Sequence, residues 1–175
     1  MSRESQVRSL QALGSNLQKI VKYLGTNQNL LRYLEYTSKD PLAEMAPDGS
    51  PQPNLTFQQV YGDGSNGRIR LIPIIGKYDD ARSCISLKVL QGFPIKENSE
   101  FMEIRFSIEV FVPGTQWFLK SDNLRPYLIM GEIDKSLKGK TINGLGKISS
   151  MSFMANFFTE EMTNYEMIFH LTQYD

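Results

Sequence analysis

The hydropathy pattern predicts an α+β fold: N-terminal helices and an antiparallel sheet, with a helix between the third and fourth strands. Three observations carry this. Apolar residues recur at helical spacing over Val7–Leu24, the period switches to two after Gly67, and one helical stretch returns before two final alternating runs. Antiparallel strands in runs, with helices to one side, are the α+β arrangement, and parallel βαβ winding is not supported. The 175 residues suit one domain. It divides into a helical N-terminus (1–36), a long Pro/Gly-rich loop (37–67) and a sheet-plus-helix region (68–175).

In the first helix Leu10, Leu13, Leu17, Ile20, Val21 and Leu24 fall within an arc of about 100° at helical spacing. Gln11, Ser15, Gln18 and Lys22 lie opposite, and Gly25 suits the C-terminal end. A short second helix is expected over Gln28–Tyr36, with Leu30, Leu31 and Leu34 as its apolar contacts. From Thr37 to Gly67 the density of proline and glycine predicts a connection with no regular element beyond Leu55–Val60. Loops of that length are commonly functional or fold against a partner.

Strands are expected at Arg68–Ile75, near an edge because of Pro73, and at Cys84–Leu90. The clearest is Met102–Val112, where Met102, Ile104, Phe106, Ile108, Val110 and Val112 share one face. Glu103, Arg105, Ser107 and Glu109 point the other way, so one face is expected to be core and the other polar. A helix over Asp122–Lys138 follows, capped by Ser121 or Asp122, with Pro126 tolerated in its first turn. Asn143-Gly144 marks a turn, and strands at Lys147–Ala155 and Tyr165–Gln173 complete the order.

Composition excludes much chemistry. Lys plus Arg and Asp plus Glu are 19 each, so the net charge is zero and the basic excess of a nucleic-acid or membrane binder is missing. One cysteine, Cys84, and one histidine, His170, rule out an internal disulfide, a thiolate-rich metal site and a His-pair site. Met1–Ser5 runs into the amphipathic pattern without an apolar core, which predicts no secretory signal. No apolar run approaches the roughly 20 residues that span a bilayer, so no membrane partner is expected.

Individual motifs fail for physical reasons. The segment Gly62-Asp63-Gly64-Ser65-Asn66-Gly67 lacks the Gly-Lys-Ser/Thr ending of a phosphate loop and precedes a strand. Read as a calcium loop from Asp63, it has Ile74 where a glutamate is needed. Asp79-Asp80 has no third carboxylate nearby until Glu97, and reads as a solvated turn that faces a partner at most. Cys84 and His170 sit within strands rather than in a loop, which argues against a nucleophile–base dyad. The expectation is a non-enzyme with no catalytic, metal or cofactor-binding residues and no cofactor.

The helix at Asp122–Lys138 says more. Ile129, Met130, Ile133 and Leu137 make a core stripe, while Leu124, Tyr127, Leu128 and Gly131 lie roughly opposite. A helix apolar on two sides touches two things. The second side is covered either by the N-terminal helices and loop or by another subunit. Trp117 and Phe118, just before it, belong to the residue class that dominates interface hot spots, and a Trp117 buried under a loop is the equal alternative.

Several stretches resemble the tail terminators and allied neck proteins of tailed bacteriophages. They are Trp117–Tyr127 (WFLKSDNLRPY), Ile129–Asp134 (IMGEID), Gly144–Lys147 (GLGK), Tyr165–Met167, and Leu30–Leu42 with its Lys39-Asp40-Pro41-Leu42. The resemblance implies a small α+β virion protein that assembles with itself as a ring, expected to be a hexamer. It further implies a tail tube protein at one ring face, a neck or connector protein at the other, and DNA only passing through the lumen. The contacts would come from strand edges and loops, including Gly76–Ser83 and Val112–Ser121. The protein is then expected in the virion, after assembly in the host cytoplasm. Competing readings are a head-completion or stopper neck protein, and an unrelated non-enzymatic intracellular protein-binding domain.

Overall fold

The computed structural model describes residues 3–62, 67–71, 82–94, 102–142, 145–159 and 161–173. Helices α1 (Arg3–Leu24), α2 (Gln28–Glu35) and the single turn α3 (Phe57–Val60) come first. Strands β1 (Ile69–Arg70), β2 (Cys84–Pro94) and β3 (Met102–Pro113) follow, then α4 (Arg125–Leu137), β4 (Ile148–Phe158) and β5 (Met162–Gln173). This is the α+β architecture expected, with the helix between the third and fourth strands.

The sheet order is β1-β2-β3-β5-β4. Three of the pairings are antiparallel, but β1 lies parallel to β2 through Ile69↔Ile85 and Arg70↔Ser86, so the sheet is mixed rather than wholly antiparallel. The connection from 71 to 83 is long enough to bring the chain back to the same end, which parallel pairing requires. Of the strand expected over Arg68–Ile75, β1 holds two residues, and 72–75 lie outside the described residues. So do Asp79, Asp80, the Asn143-Gly144 turn and 63–66 of the Gly-rich segment.

The inward face matches the alternation. Ile85, Val110 and Tyr165 lie side by side, as do Leu87, Ile108 and Met167, and all are buried. Phe106 stacks on Phe169 at 5.3 Å in the next layer. Ile20, Val21 and Leu24 of α1, Leu30, Leu31 and Leu34 of α2, and the α4 stripe close over this face as one hydrophobic cluster. The outward face is less exposed than alternation suggests, since Cys84, Ser86, Ser107, Phe111 and Asn164 are also buried. Lys88 bridges Glu109 (3.2 Å) and Glu166 (3.5 Å) there, which compensates charge within the sheet.

Helix α2 begins where the Asn27 side-chain oxygen accepts from the Leu30 amide at 3.1 Å, a conventional N-cap. The same side chain donates to Glu132 Oε2 (2.8 Å) and Ser136 Oγ (2.9 Å), so the cap also fastens α2 to α4. Helix α4 starts at Arg125, not Asp122, and neither Ser121 nor Asp122 caps it. Those residues are spent on a tight reversal instead. Phe118 and Leu124 form a bridge, the Asp122 amide donates to Leu119 O, and Asp122 takes a left-handed φ of 59°.

The described residues of the 37–67 connection are folded onto their own domain. Gln28 exchanges two hydrogen bonds with the Leu55 backbone (2.8 and 2.9 Å), and Leu42, Phe57 and Tyr61 pack on the core. Phe57 lies against Gly25, where an added Cβ would overlap its ring. Gly25→Ala is therefore expected to lower stability by about 1–3 kcal/mol through overpacking. Thermal unfolding checks this; an unchanged Tm would mean that the Phe57 ring shifts aside freely.

Candidate assembly interface

Strand β4 occupies one edge of the sheet, and its sequence Ile148–Phe158 (ISSMSFMANFF) contains no charged residue and no proline. Edge strands in monomeric proteins are normally blunted by lysine, proline or a covering element. Here only Ile148 is buried; from Met151 onward every residue is exposed. Register with β5 places Phe153, Ala155 and Phe158 on the helix side and Ser152, Met154 and Phe157 on the outer side. Both faces and the edge of this strand therefore meet solvent.

α4 reaches β4 through Asp134, which accepts a hydrogen bond from Ser150, and reaches β5 through Tyr127, against Tyr165. The β4 side chains from Met151 to Phe158 stay exposed beside it. Gly131 leaves open space on α4, since a Cβ there would have nothing within 4 Å.

At the far end of β4 the aromatic residues converge. Trp117, half-buried, lies 5.9 Å from Phe158 and 6.4 Å from Tyr165, ring to ring. Phe158 meets Tyr165 edge-on at 5.4 Å, and Tyr127 does so at 5.5 Å. Such tilted contacts suit the quadrupoles of the rings. The Tyr127 and Tyr165 hydroxyls are 2.9 Å apart. Burial, with the hydrogen bond to Tyr127, pushes the Tyr165 phenol up to about 12, so Tyr165 stays protonated and neutral at physiological pH. Phe118, next to Trp117, is 68% exposed.

Of the residues singled out from sequence, Trp117, Phe118, Tyr127 and Gly131 belong to this surface or border it. Leu124, half-buried, stands beside Phe118 through their backbone bridge, whereas Leu128 is half-buried and packs at the margin of the core. Glu132, one turn on from Leu128, is held by Asn27, so that side of α4 faces α2. The second apolar side of the helix is thus divided, half of it covered within the chain and half left open beside β4. Asp79 and Asp80 lie outside the described residues. Pattern reading missed Met151, Phe153, Met154, Phe157 and Phe158. The signal was the absence of charge over eleven residues, but an apolar strand reads equally well as a buried one.

Arg125 is the other residue that pattern reading missed. It is fully buried, and its guanidinium donates to the carbonyls of Gln116 (3.0 Å), Tyr33 (2.8 Å), Tyr36 (2.7 Å) and Ser38. Burial lowers its pKa to about 10, which leaves it charged at neutral pH. It pins the end of α2 and the start of the long loop to the segment that carries Trp117 and Phe118.

Cys84 is buried at the start of β2 opposite Phe111, and His170 is paired with Arg105 six residues along β3. That offset separates them by about 20 Å, so they form no dyad. His170 instead sits 3.4 Å from Glu103. Among the described residues no helix is long and apolar enough to cross a membrane.

Among solved structures, a chain in the virion of a native gene transfer agent particle has a similar fold at 12% sequence identity and a TM-score of 0.42. The match covers 61% of this chain and 78% of that one. No curated protein matches the sequence. The family model YomW matches residues 27–171, from the cap of α2 to the end of the sheet, and the chain therefore belongs to the YomW family.

Proposed function

We propose that this chain is a structural virion protein of a phage neck. Identical copies form a ring, expected to be a hexamer, that ends the tail tube and joins it to the head connector. The supporting observation is the continuous apolar surface formed by β4 with Trp117, Phe118 and Tyr127. A protein with 22% charged residues that leaves such a surface bare has a permanent partner to cover it. The stretches resembling tail terminators include Trp117–Tyr127, the segment that builds one end of this surface.

The role is mechanical rather than catalytic. Head-to-tail contacts between copies close into a ring when the rotation between neighbours closes. Such a ring needs no cofactor, and a net charge of zero lets DNA pass its lumen without sticking. The protein acts in the virion after assembly in the host cytoplasm.

Light scattering across a concentration series tests the ring. A discrete oligomer, most simply six copies, is the expected result. Incubation with tail tubes that lack their terminal ring then tests the role, with electron microscopy counting capped ends. A protein that remains monomeric and leaves tubes bare overturns the reading. Binding to the connector but not to tubes makes it a stopper.

A further inference from the structure

We infer that the β4 edge adds as a strand to the sheet of a second copy of this chain, at the opposite edge formed by the outer half of β2. This deepens the ring reading and rests on it, because it names the two surfaces that meet. Three observations choose this occupant.

The first is area. The exposed β4 side chains, with Phe118 and Tyr127, are 44–68% exposed. At about 150–250 Å² for each side chain they leave roughly 550–950 Å² uncovered. A stable interface buries about 800 Å² on each partner, whereas the largest patch on an ordinary monomer is about 300–600 Å².

The second is shape. Phe153 and Phe158 project on the helix side of the sheet, and Met154 and Phe157 on the other. A partner that covers only one face leaves the other bare. Covering both calls for a strand edge in line with β4, whose own side chains alternate to the two sides, with the second copy's helix layer adding cover on the helix side. Strand addition uses the backbone groups that β4 leaves unpaired, and its alternate side chains fill pockets above and below.

The third is a compatible edge on the same chain. β1 pairs with only Ile85 and Ser86 of β2 among the described residues. Beyond Lys88 the stretch Val89-Leu90-Gln91-Gly92-Phe93 carries no charge, and Leu90, Gln91 and Gly92 are exposed. Lys88 itself is neutralised within its own sheet by Glu109 and Glu166. An uncharged strand meets an uncharged edge, and no buried ion is created. On β4 the irregularities fall between Ser150 and Ser152 and between Ala155 and Phe157. The regular run Ser152–Ala155 between them is where the new ladder centres. One edge of each type per copy makes the contact head-to-tail, the kind that closes a ring.

Paired cysteines in the full-length chain test this, since Cys84 is buried and does not compete. Leu90→Cys is combined in turn with Ser152→Cys, Phe153→Cys and Met154→Cys to sample register, and the protein is oxidised with copper phenanthroline. At least one pair is expected to give a covalent ladder that ends at the mass found by light scattering, while each single variant gives none. Covalent dimers from Phe153→Cys alone would mean that β4 meets β4 across a two-fold axis, which overturns the inference. A ring by scattering with no cross-link in any register also overturns it and leaves the ring standing. A protein that never assembles overturns both. Hydrogen exchange on the unmodified chain gives a reading free of folding defects: amides of 152–155 should exchange slowly in the oligomer and fast on dilution to monomer. Equal exchange in the two states counts against the pairing.

Discussion

Replacing Arg125 by alanine is expected to cost about 3–5 kcal/mol of stability, the scale of leaving several buried carbonyls without their charged donor. The side chain is fully buried, and four backbone carbonyls depend on it. Its removal strands carbonyls of the α2 C-terminus and the following loop, each at a desolvation penalty of about 1–3 kcal/mol unless water enters. For a chain of this size the loss corresponds to roughly 6–20 °C in Tm, at about 2–4 °C for each kcal/mol. Arg125→Lys should recover only part of it, because an ammonium cannot present the planar fork that spans these acceptors. Urea unfolding followed by circular dichroism measures both. A loss below about 1 kcal/mol for the alanine variant would show that the carbonyls find other donors, and that the pinning role is wrong.

The second large effect is on assembly. Phe118→Asp combined with Phe158→Asp places two carboxylates in the apolar surface, one at 68% and one at 55% exposure in the free chain. Hot-spot aromatics are worth about 2 kcal/mol or more each. The pair should therefore weaken self-association by about 700-fold or more, at about 1.4 kcal/mol for each factor of ten. The fold should survive, because both residues lie at the margin of the core: Phe158 touches Trp117 and Tyr165, and Phe118 lies on the reversal before α4. Scattering mass against concentration reads the first effect and a thermal melt controls for the second. Unaltered assembly by a folded variant would remove this surface from the interface.

The two predictions meet in one segment. Arg125 holds the backbone of Gln116 and, through its own amide, that of Trp117, whose carbonyl lies 2.9 Å away. The rings presented to a partner therefore rest on a buried network rather than on a free loop. Preorganised aromatics lose little entropy on binding, which makes them effective anchors.

Much of this architecture is written in local patterns. Val110 and Tyr165 fall on one face because side chains alternate along a strand, and Ile129, Ile133 and Leu137 fall on one side because a helix turns every 3.6 residues. Those periods set element type, element order and the inward face of β3 and β5 without knowledge of neighbours. The buried state of Cys84 was likewise legible from its place in an alternating strand. The candidate surface was legible only in part: Trp117, Phe118 and Tyr127 stood out by residue type, beside a helix apolar on two sides.

What periodicity leaves open is which elements are neighbours, and that decided the rest. Whether β4 is central or at an edge depends on the order β1-β2-β3-β5-β4. With another order, Phe153 and Phe157 would be ordinary core. The separation of Leu128 from Tyr127 came from where α2 docks against α4, through Asn27 and Glu132. Arg125 had no pattern to announce it, since its acceptors are backbone carbonyls some 90 residues earlier, which any sequence supplies. Local sequence thus determined the elements and their inward faces. The tertiary structure alone decided which apolar residues remained uncovered, because exposure belongs to the packing of elements on one another and not to any single one.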